Sequence, residues 1–560
     1  MRIRDQVDRR FQPPILLIGL ALVVGAALRL IQNGQPFASS DHAELAAIVT
    51  FFYPRSLESL IPSATSFWNM FTNPHGILSP LIGMVSMTLF GLMGGTINEF
   101  WWNLPFVLFN LLPIPLSALL VWRITGRSMA GAGAALLVAI LPIHAALSRS
   151  SGLIIPVALN FHLLTILCCL RYFEAPTPRR AWWLGGVLAV HLTVEMLFPV
   201  LLVLVFGVGL LSVRTAHPGL FLRFYRVRKL MFDPRVMFLP LLVLGFHLTL
   251  LVAYSQGWTP FGGLAARLLQ GSDRTPGLYP ADFWNNATYA VGSFAFPILL
   301  ILGGVGLPSL WRLERRAVPV LWAIVYLVPF LVFTRPHVYE YFLFGSVPLT
   351  INAAIVIEQW WQKQRGYRWL AGVTLPLLGV LFSLRALSMV FGLDLVPVVG
   401  TGLVPGGVHP DQGLKAAAWW VRNHTAPDEL VFGDSALEPY QLWYYLRRPS
   451  IGVTDAETPA DAYRLLDDLE QPPSIYLVRP GNVDLLRQHA PGQGQQDQPS
   501  LLARVRVDQQ PVLLIYGSLP DQDEDEEAHA QRGGGEVAVI DIDAQTANVA
   551  FDEQFGSWRA

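Results

Sequence analysis

The stretch "PILLIGLALVVGAALRLI", Pro14 to Ile31, holds a single charge, Arg29. An α-helix crosses the hydrocarbon core of a bilayer with about 20 mostly apolar residues. Comparable runs recur near 104–122, 128–147, 152–170, 236–254, 289–308, 317–334, 343–359 and 369–390. The block 182–213 is too long for one helix and divides at Glu195 and Pro199 into two short spans. The sequence therefore predicts an α-helical polytopic membrane protein with about eleven transmembrane helices. Composition agrees: of 560 residues 53% are hydrophobic and 14% charged, against about 25% charged in soluble domains. No small-residue cleavage site follows "MRIRDQVDRR", so the first apolar run is read as an uncleaved helix. Cys168 and Cys169 are neighbours, which rarely bridge each other, and no disulfide is expected. The net charge of −1 identifies no partner, and no nucleic acid partner is expected.

Loop charge orients these spans. Segment 76–93, "GILSPLIGMVSMTLFGLM", is long enough to cross, but counting it as a span puts the basic cluster around 223–235 outside. Leaving it out gathers Arg2, Arg4, Arg9, Arg10, Arg123, Arg127, Arg171, Arg179, Arg180, the cluster Arg214 to Arg235, Arg312, Arg315, Arg316, Lys363, Arg365 and Arg368 on one side. Cytoplasmic loops carry the excess of Lys and Arg. The expected topology has a cytoplasmic N-terminus, an external loop 32–103 with 76–93 as an interfacial or re-entrant helix, and a transmembrane domain over 1–400 in an inner or plasma membrane. The Gly/Pro linker "VVGTGLVPGGVHPDQG" then leads into alternating helix and strand patterns, which predict a small extracytoplasmic α/β domain over 401–520. Residues 521–560 begin as an acidic low-complexity run with room for terminal strands.

Polar residues beside the membrane mark the candidate site. In "FASSDHAELAAIVTFF", Asp41, His42 and Glu44 stand on the expected outer face. A carboxylate there can take a proton from an acceptor hydroxyl, or hold a divalent ion such as Mg or Mn through oxygen. Equally, Ser40 or Asp41 can cap an amphipathic helix with Glu44 in its first turn. Arg29 and Arg149 offer donor forks suited to phosphate, or serve as interfacial anchors; Arg385 is a weaker case of the same kind. "FTRPHVYEYFLFG" supplies Arg335, His337, Tyr339, Glu340 and Tyr341, either an interfacial belt or a phosphate and sugar subsite. His75 lies in the external loop. His144, His162, His191 and His247 fall inside apolar runs without a metal-ligand spacing. No CxxC, Walker loop, GxSxG or GxGxxG is placed to act.

"ALRLIQNGQPFASSDHAE", Ala27 to Glu44, resembles the membrane glycosyltransferases of the GT-C superfamily, in the branch of protein O-mannosyltransferases and aminoarabinose transferases. In that branch an arginine near the end of the first span precedes an acidic pair; His42 replaces the usual second acid. "NPHGILSPLIGMVSMTLFG", "WRITGRSMAGAGAALLVAILP" and Arg149 in "SRSSGLIIPVALN" follow in the family's order, without its later aspartate. The resemblance covers about residues 10–170. It implies transfer of a hexosyl or pentosyl group from a polyprenyl-phosphate donor to a glycan, lipid or protein acceptor on the outer face. Asp41 would act as general base of an inverting displacement, with Glu44 beside it. Arg29, His42, His75, Arg149, Arg335, His337, Tyr339 and Glu340 would bind substrate. An O-antigen-ligase-type transferase relying on Arg335 and His337, or a non-enzymatic membrane scaffold with an external binding domain, are the alternatives.

Overall fold

The computed structural model describes residues 12–34, 45–46, 49, 78–92, 99–149, 154–194, 198–213, 219–258, 277–333, 339–363, 365–393, 413–434, 439–446, 448–451, 458–469, 472–490, 499–517 and 537–542. Contacts divide the chain into two compact units. The first takes in Met1–Asn33, Glu58–Val85 and Asn103–Val408; the second takes in Gly34–Leu57, Ser86–Trp102 and His409–Ala560.

Sixteen helices precede the second unit's C-terminal part in the described chain. They are α1 (Gln12–Leu30), α2 (Leu78–Leu92), α3 (Glu99–Asn110), α4 (Pro113–Thr125), α5 (Ser128–Ala139), α6 (Pro142–Leu147), α7 (Ile154–Glu174) and α8 (Pro178–Leu192). There follow α9 (Phe198–Ser212), α10 (Leu220–Met231), α11 (Pro234–Ser255), α12 (Pro280–Val291), α13 (Ala295–Trp311), α14 (Val318–Phe333), α15 (Leu343–Gln362) and α16 (Arg365–Phe391). Among the described residues six stretches are long and apolar enough to cross a membrane, or seven if the bent pair α12–α13 counts as one. Several of the eleven expected spans are shorter or broken. The run 128–147 stops at Ala139 and restarts at Pro142, because proline lacks the N–H and crowds the preceding turn. The block 182–213 divides, as expected, into α8 and α9. The run 289–308 is a 103° bend between α12 and α13. Its pivot is Gly292 at φ 111°, a conformation that side chains rarely adopt. Helix α2 has 15 residues, about 22 Å of rise, short of the roughly 30 Å hydrocarbon core.

Small residues set the packing of the first unit. Helix α5, "SMAGAGAALLVA", lies so close to α4 that a Cβ on Gly131 would meet the Ala118 carbonyl oxygen at 2.7 Å. Close backbone approach of this kind is how helices associate where lipid removes the hydrophobic drive. Short α6 is buried at all six residues and packs on α1, α5, α7, α12 and α16.

The second unit's C-terminal part holds α17 (Leu414–His424), β1 (Val431–Gly433), α18 (Pro439–Leu446), β2 (Ser450–Ile451), α19 (Pro459–Arg464), β3 (Ile475–Val478), α20 (Val483–His489), β4 (Ser500–Val507), β5 (Gln510–Gly517) and β6 (Ala538–Ile542). The strands form one sheet in the order β2-β1-β3-β5-β4-β6. Strand β1 is parallel to β2 and β3; β5 is antiparallel to β3 and β4. The β4–β5 turn uses Asp508 and Gln509, both at positive φ (49° and 66°), the backbone that a two-residue type I′ hairpin demands. Strand β6, from the region expected to follow the acidic run, pairs parallel with β4. Phe432, Tyr463, Leu466, Tyr476, Val478 and Leu486 form its core. At the end of β1 the buried Asp434 carboxylate accepts from the Arg479 backbone N–H (2.8 Å) and from the Asn482 side-chain amide (2.9 Å). Burial, with Asp434 adding to it, pushes the Tyr463 hydroxyl well above its ordinary pKa.

Candidate functional site

Three arginines of the first unit are buried to 1% exposure or less: Arg29, Arg149 and Arg385. Each closes the C-terminal end of a helix, where carbonyls lack intrahelical partners and carry partial negative charge. Arg149, just past α6, donates through Nη1 to the Leu28 carbonyl (2.5 Å) and through Nη2 to the Ile31 carbonyl (2.7 Å), closing α1. Arg29 donates from Nη1 to the Gly25 carbonyl (2.7 Å) and to the carbonyl of Ala139, the last residue of α5 (3.1 Å). Its Nε donates to Ser148 Oγ (2.5 Å) and its Nη2 to His144 Nδ1 (2.8 Å). Arg385, on α16, donates from Nε and Nη2 to the carbonyl of Tyr289 (3.1 and 2.6 Å), in the last turn of α12 beside the bend. The Gly292 pivot abuts it: a Cβ there would lie 3.7 Å from Arg385 Cγ.

These groups belong to one end of the helical unit. The Arg149 guanidinium sits 5.5 Å from the centre of the Phe391 ring at the end of α16. Arg385 lies six residues earlier on that helix, about 9 Å of rise away. Its guanidinium stacks over the Tyr289 ring at 4.8 Å, and that ring meets Tyr339 at 4.7 Å. Glu340 follows Tyr339 in the same 3₁₀ turn, Tyr339–Phe342. Helix α6 packs against this turn and against α1, α12 and α16.

Three guanidiniums and the Glu340 carboxylate stand at this end of the unit. Among the described residues all of Arg29's hydrogen-bond partners are neutral. A buried charge is costly unless a counter-charge or full hydrogen bonding compensates it. Burial lowers the pKa of Arg149 to about 10, so it still carries its charge at neutral pH. Among the described residues both amide atoms of Asn110, at the end of α3, are buried without a hydrogen-bond partner, and the Asn110 backbone stands within hydrogen-bond reach of His144. Such atoms in a native fold call for water or a ligand group.

Of the residues expected from sequence, Arg29, Arg149, Tyr339 and Glu340 are therefore brought to one end of one unit. Neither arginine snorkels; both are interior. Asp41, His42, Glu44, His75, Arg335 and His337 lie outside the described residues. Directly after Glu44, Leu45, Ala46 and Val49 are helical and fully buried, the spacing of one helix face. Sequence reading passed over His144, Ser148, Asn110 and Tyr289. The i,i+4 spacing of His144 and Ser148 before Arg149 was the available signal. No group of three His, Cys, Asp or Glu able to hold a metal occurs among the described residues.

No protein-family model matches the chain, and no curated protein matches it in sequence. Solved structures do match in fold. ArnT from Cupriavidus metallidurans bound to undecaprenyl phosphate superposes with a TM-score of 0.58 at 14% identity, over 91% of this chain and 99% of that one. The same protein in its apo state gives a TM-score of 0.55 at 14% identity, over 90% and 97%. An Archaeoglobus fulgidus oligosaccharyltransferase is more distant, with a TM-score of 0.49 at 13% identity over 92% and 75%. The chain therefore shares the fold of ArnT over about nine-tenths of its length.

Proposed function

We propose that this protein is a membrane glycosyltransferase that takes a sugar from a polyprenyl-phosphate donor and passes it to an acceptor at the outer face of the membrane. One observation carries the reading most: the interior cationic cluster of Arg29 and Arg149 closes the helix that leads into Asp41. The ArnT fold, crystallised in one case with undecaprenyl phosphate, supports it. In the reaction the acceptor hydroxyl attacks the anomeric carbon, and Asp41 takes the hydroxyl proton as general base. The carbon–oxygen bond to the donor phosphate breaks on the opposite side, so configuration inverts. The polyprenyl phosphate leaves with the electron pair. Preorganised positive charge stabilises that developing charge and undergoes no reorganisation during the step. Arg29 and Arg149 supply it from fixed positions, because their donors are already held by protein carbonyls. The Tyr289–Tyr339 pair with Arg385 forms an aromatic and cationic wall suited to the sugar.

The test is transfer of a labelled sugar from polyprenyl phosphate in membranes, with protein levels matched. Asp41→Asn is expected to slow transfer by about 10² to 10⁴, while costing at most a helix cap's worth of stability, about 1 kcal/mol. Glu44→Gln is expected to be milder. Full activity of Asp41→Asn would remove the general-base assignment. Full activity of both variants would turn the reading toward a non-enzymatic role.

A further inference from the structure

Helix α10, "LFLRFYRVRKLM", lies outside everything the transfer reaction uses. It is held to the first unit at a few points. Val227 is fully buried, Phe224 meets Phe206 edge-on at 5.1 Å, and Arg223 donates to the carbonyls of Leu210 (3.1 Å) and Leu313 (3.3 Å). The rest of the helix faces away from protein: Phe221 is 80% exposed and Tyr225 59%, and Phe232 just beyond is 69%. Arg226, Arg228 and Lys229 are exposed, and among the described residues their side chains have no ion-pair partner. Asp233 is the one acid between 214 and 235, and its carboxylate is taken as the N-cap of α11, accepting from the Arg235 backbone N–H at 2.9 Å.

The position of α10 is fixed by α7, whose 21 residues measure about 31 Å. Arg149 and its cluster precede the start of α7 in the chain. At the far end Glu174 pairs with Arg123 and with Arg315. Arg223 reaches Leu313, two residues from Arg315, so α10 belongs to that far end. Exposed aromatics beside unpaired cations, one bilayer thickness from the catalytic end, form the pattern of a helix lying in a headgroup layer.

We propose that α10 is an interfacial helix that binds anionic phospholipid headgroups of the leaflet opposite the catalytic end. Arg226, Arg228 and Lys229 contact the phosphates, and Phe221 and Tyr225 enter the acyl boundary. Anionic lipid rather than lipid of any charge is the occupant, because three cations share one turn and a half of helix without a carboxylate. Which end is catalytic rests on the sugar-transfer reading; the lipid binding of this helix does not.

The experiment uses the purified full chain in mild detergent, titrated with phosphatidylglycerol or with phosphatidylcholine. Thermal unfolding and native mass spectrometry of retained lipid are the readouts. Each cation at an anionic surface contributes about five-fold in affinity. The triple variant R226Q/R228Q/K229Q is therefore expected to bind phosphatidylglycerol on the order of 100-fold more weakly, with unfolding in lipid-free detergent unchanged. Arg179→Gln, removing one exposed cation from another helix at the same end, is expected to weaken binding by about five-fold at most. Raising salt is expected to weaken phosphatidylglycerol binding by the wild type, because exposed charges are screened. Equal binding of the two lipids by the wild type, or undiminished phosphatidylglycerol binding by the triple variant, overturns the proposal. If the triple variant fails to fold, the wild-type lipid preference and its salt dependence still decide it.

Discussion

Glu99 and Lys415 offer the sharpest test of how the second unit is built. Glu99 opens α3 and Lys415 lies in the first turn of α17, yet both belong to that unit, with side chains 1% and 7% exposed. The Lys415 ammonium donates to Glu99 Oε2 at 3.0 Å, and the Tyr445 hydroxyl donates to Oε1 at 2.7 Å. A buried pair of this kind gives little net stability over an apolar replacement, but removing one partner strands the other charge at about 3–5 kcal/mol. Lys415→Met and Glu99→Leu should each cost that much. For a unit of this size, about 2–4 °C of melting temperature per kcal/mol makes the shift roughly 6–20 °C. The double variant Glu99→Leu with Lys415→Met should recover most of the loss. The assay is melting of the detergent-purified chain, followed by protease resistance of the C-terminal part. Single variants costing under about 1 kcal/mol, or a double variant as unstable as the two singles added, would refute the idea that this pair is desolvated and coupled.

Gly292→Ala should destabilise the chain by about 1–3 kcal/mol, since a Cβ is strained at φ 111°; an unchanged melting temperature would contradict a fixed bend there. Arg29→Lys keeps the charge but cannot reach Ser148, His144 and two carbonyls together, and should cost about 1–3 kcal/mol for each acceptor left bare, read by the same melting assay. Cysteines placed on either side of 76–93 should both label from outside the cell, as the distribution of basic loops requires; labelling of the Gly94 side only from the cytoplasm would reverse the topology beyond it.

The parts of this fold that were legible in the sequence are those governed by local pattern. Apolar length found the membrane helices, and alternating helix and strand patterns after the Gly/Pro linker found a small α/β domain where α17 to β5 stand. Where the expectation of eleven spans parts from the structure, a backbone event decides the matter, not hydropathy. Pro142 ends one run and Gly292 turns another through 103°, and an apolar window averages over both. The composition of the second unit was beyond local pattern altogether. Glu99 and Lys415 are 316 residues apart in sequence, and nothing in either neighbourhood announces the other. The helix start at Glu99 reads alone as an ordinary acidic first turn.

The arginines divide differently. A charge in an apolar run is rare enough to be noticed, so Arg29, Arg149 and Arg385 could be picked out singly. Their common job could not, because it depends on where α1, α5 and α12 end. That job bears on how their substitution should be read. An arginine that closes a helix end and also presents charge to a phosphate has two effects on removal, one on folding and one on transfer. Arg149 donates to Leu28 and Ile31, so Arg149→Ala must loosen the end of α1. A loss of transfer in that variant is therefore no proof of phosphate contact. Arg149→Lys separates the two effects better, since it restores charge at the site while leaving at least one carbonyl of α1 bare. If charge is what the donor phosphate needs, the lysine variant regains apparent donor affinity while its melting temperature stays low. If closure of α1 is what matters, both variants lose turnover in step with stability.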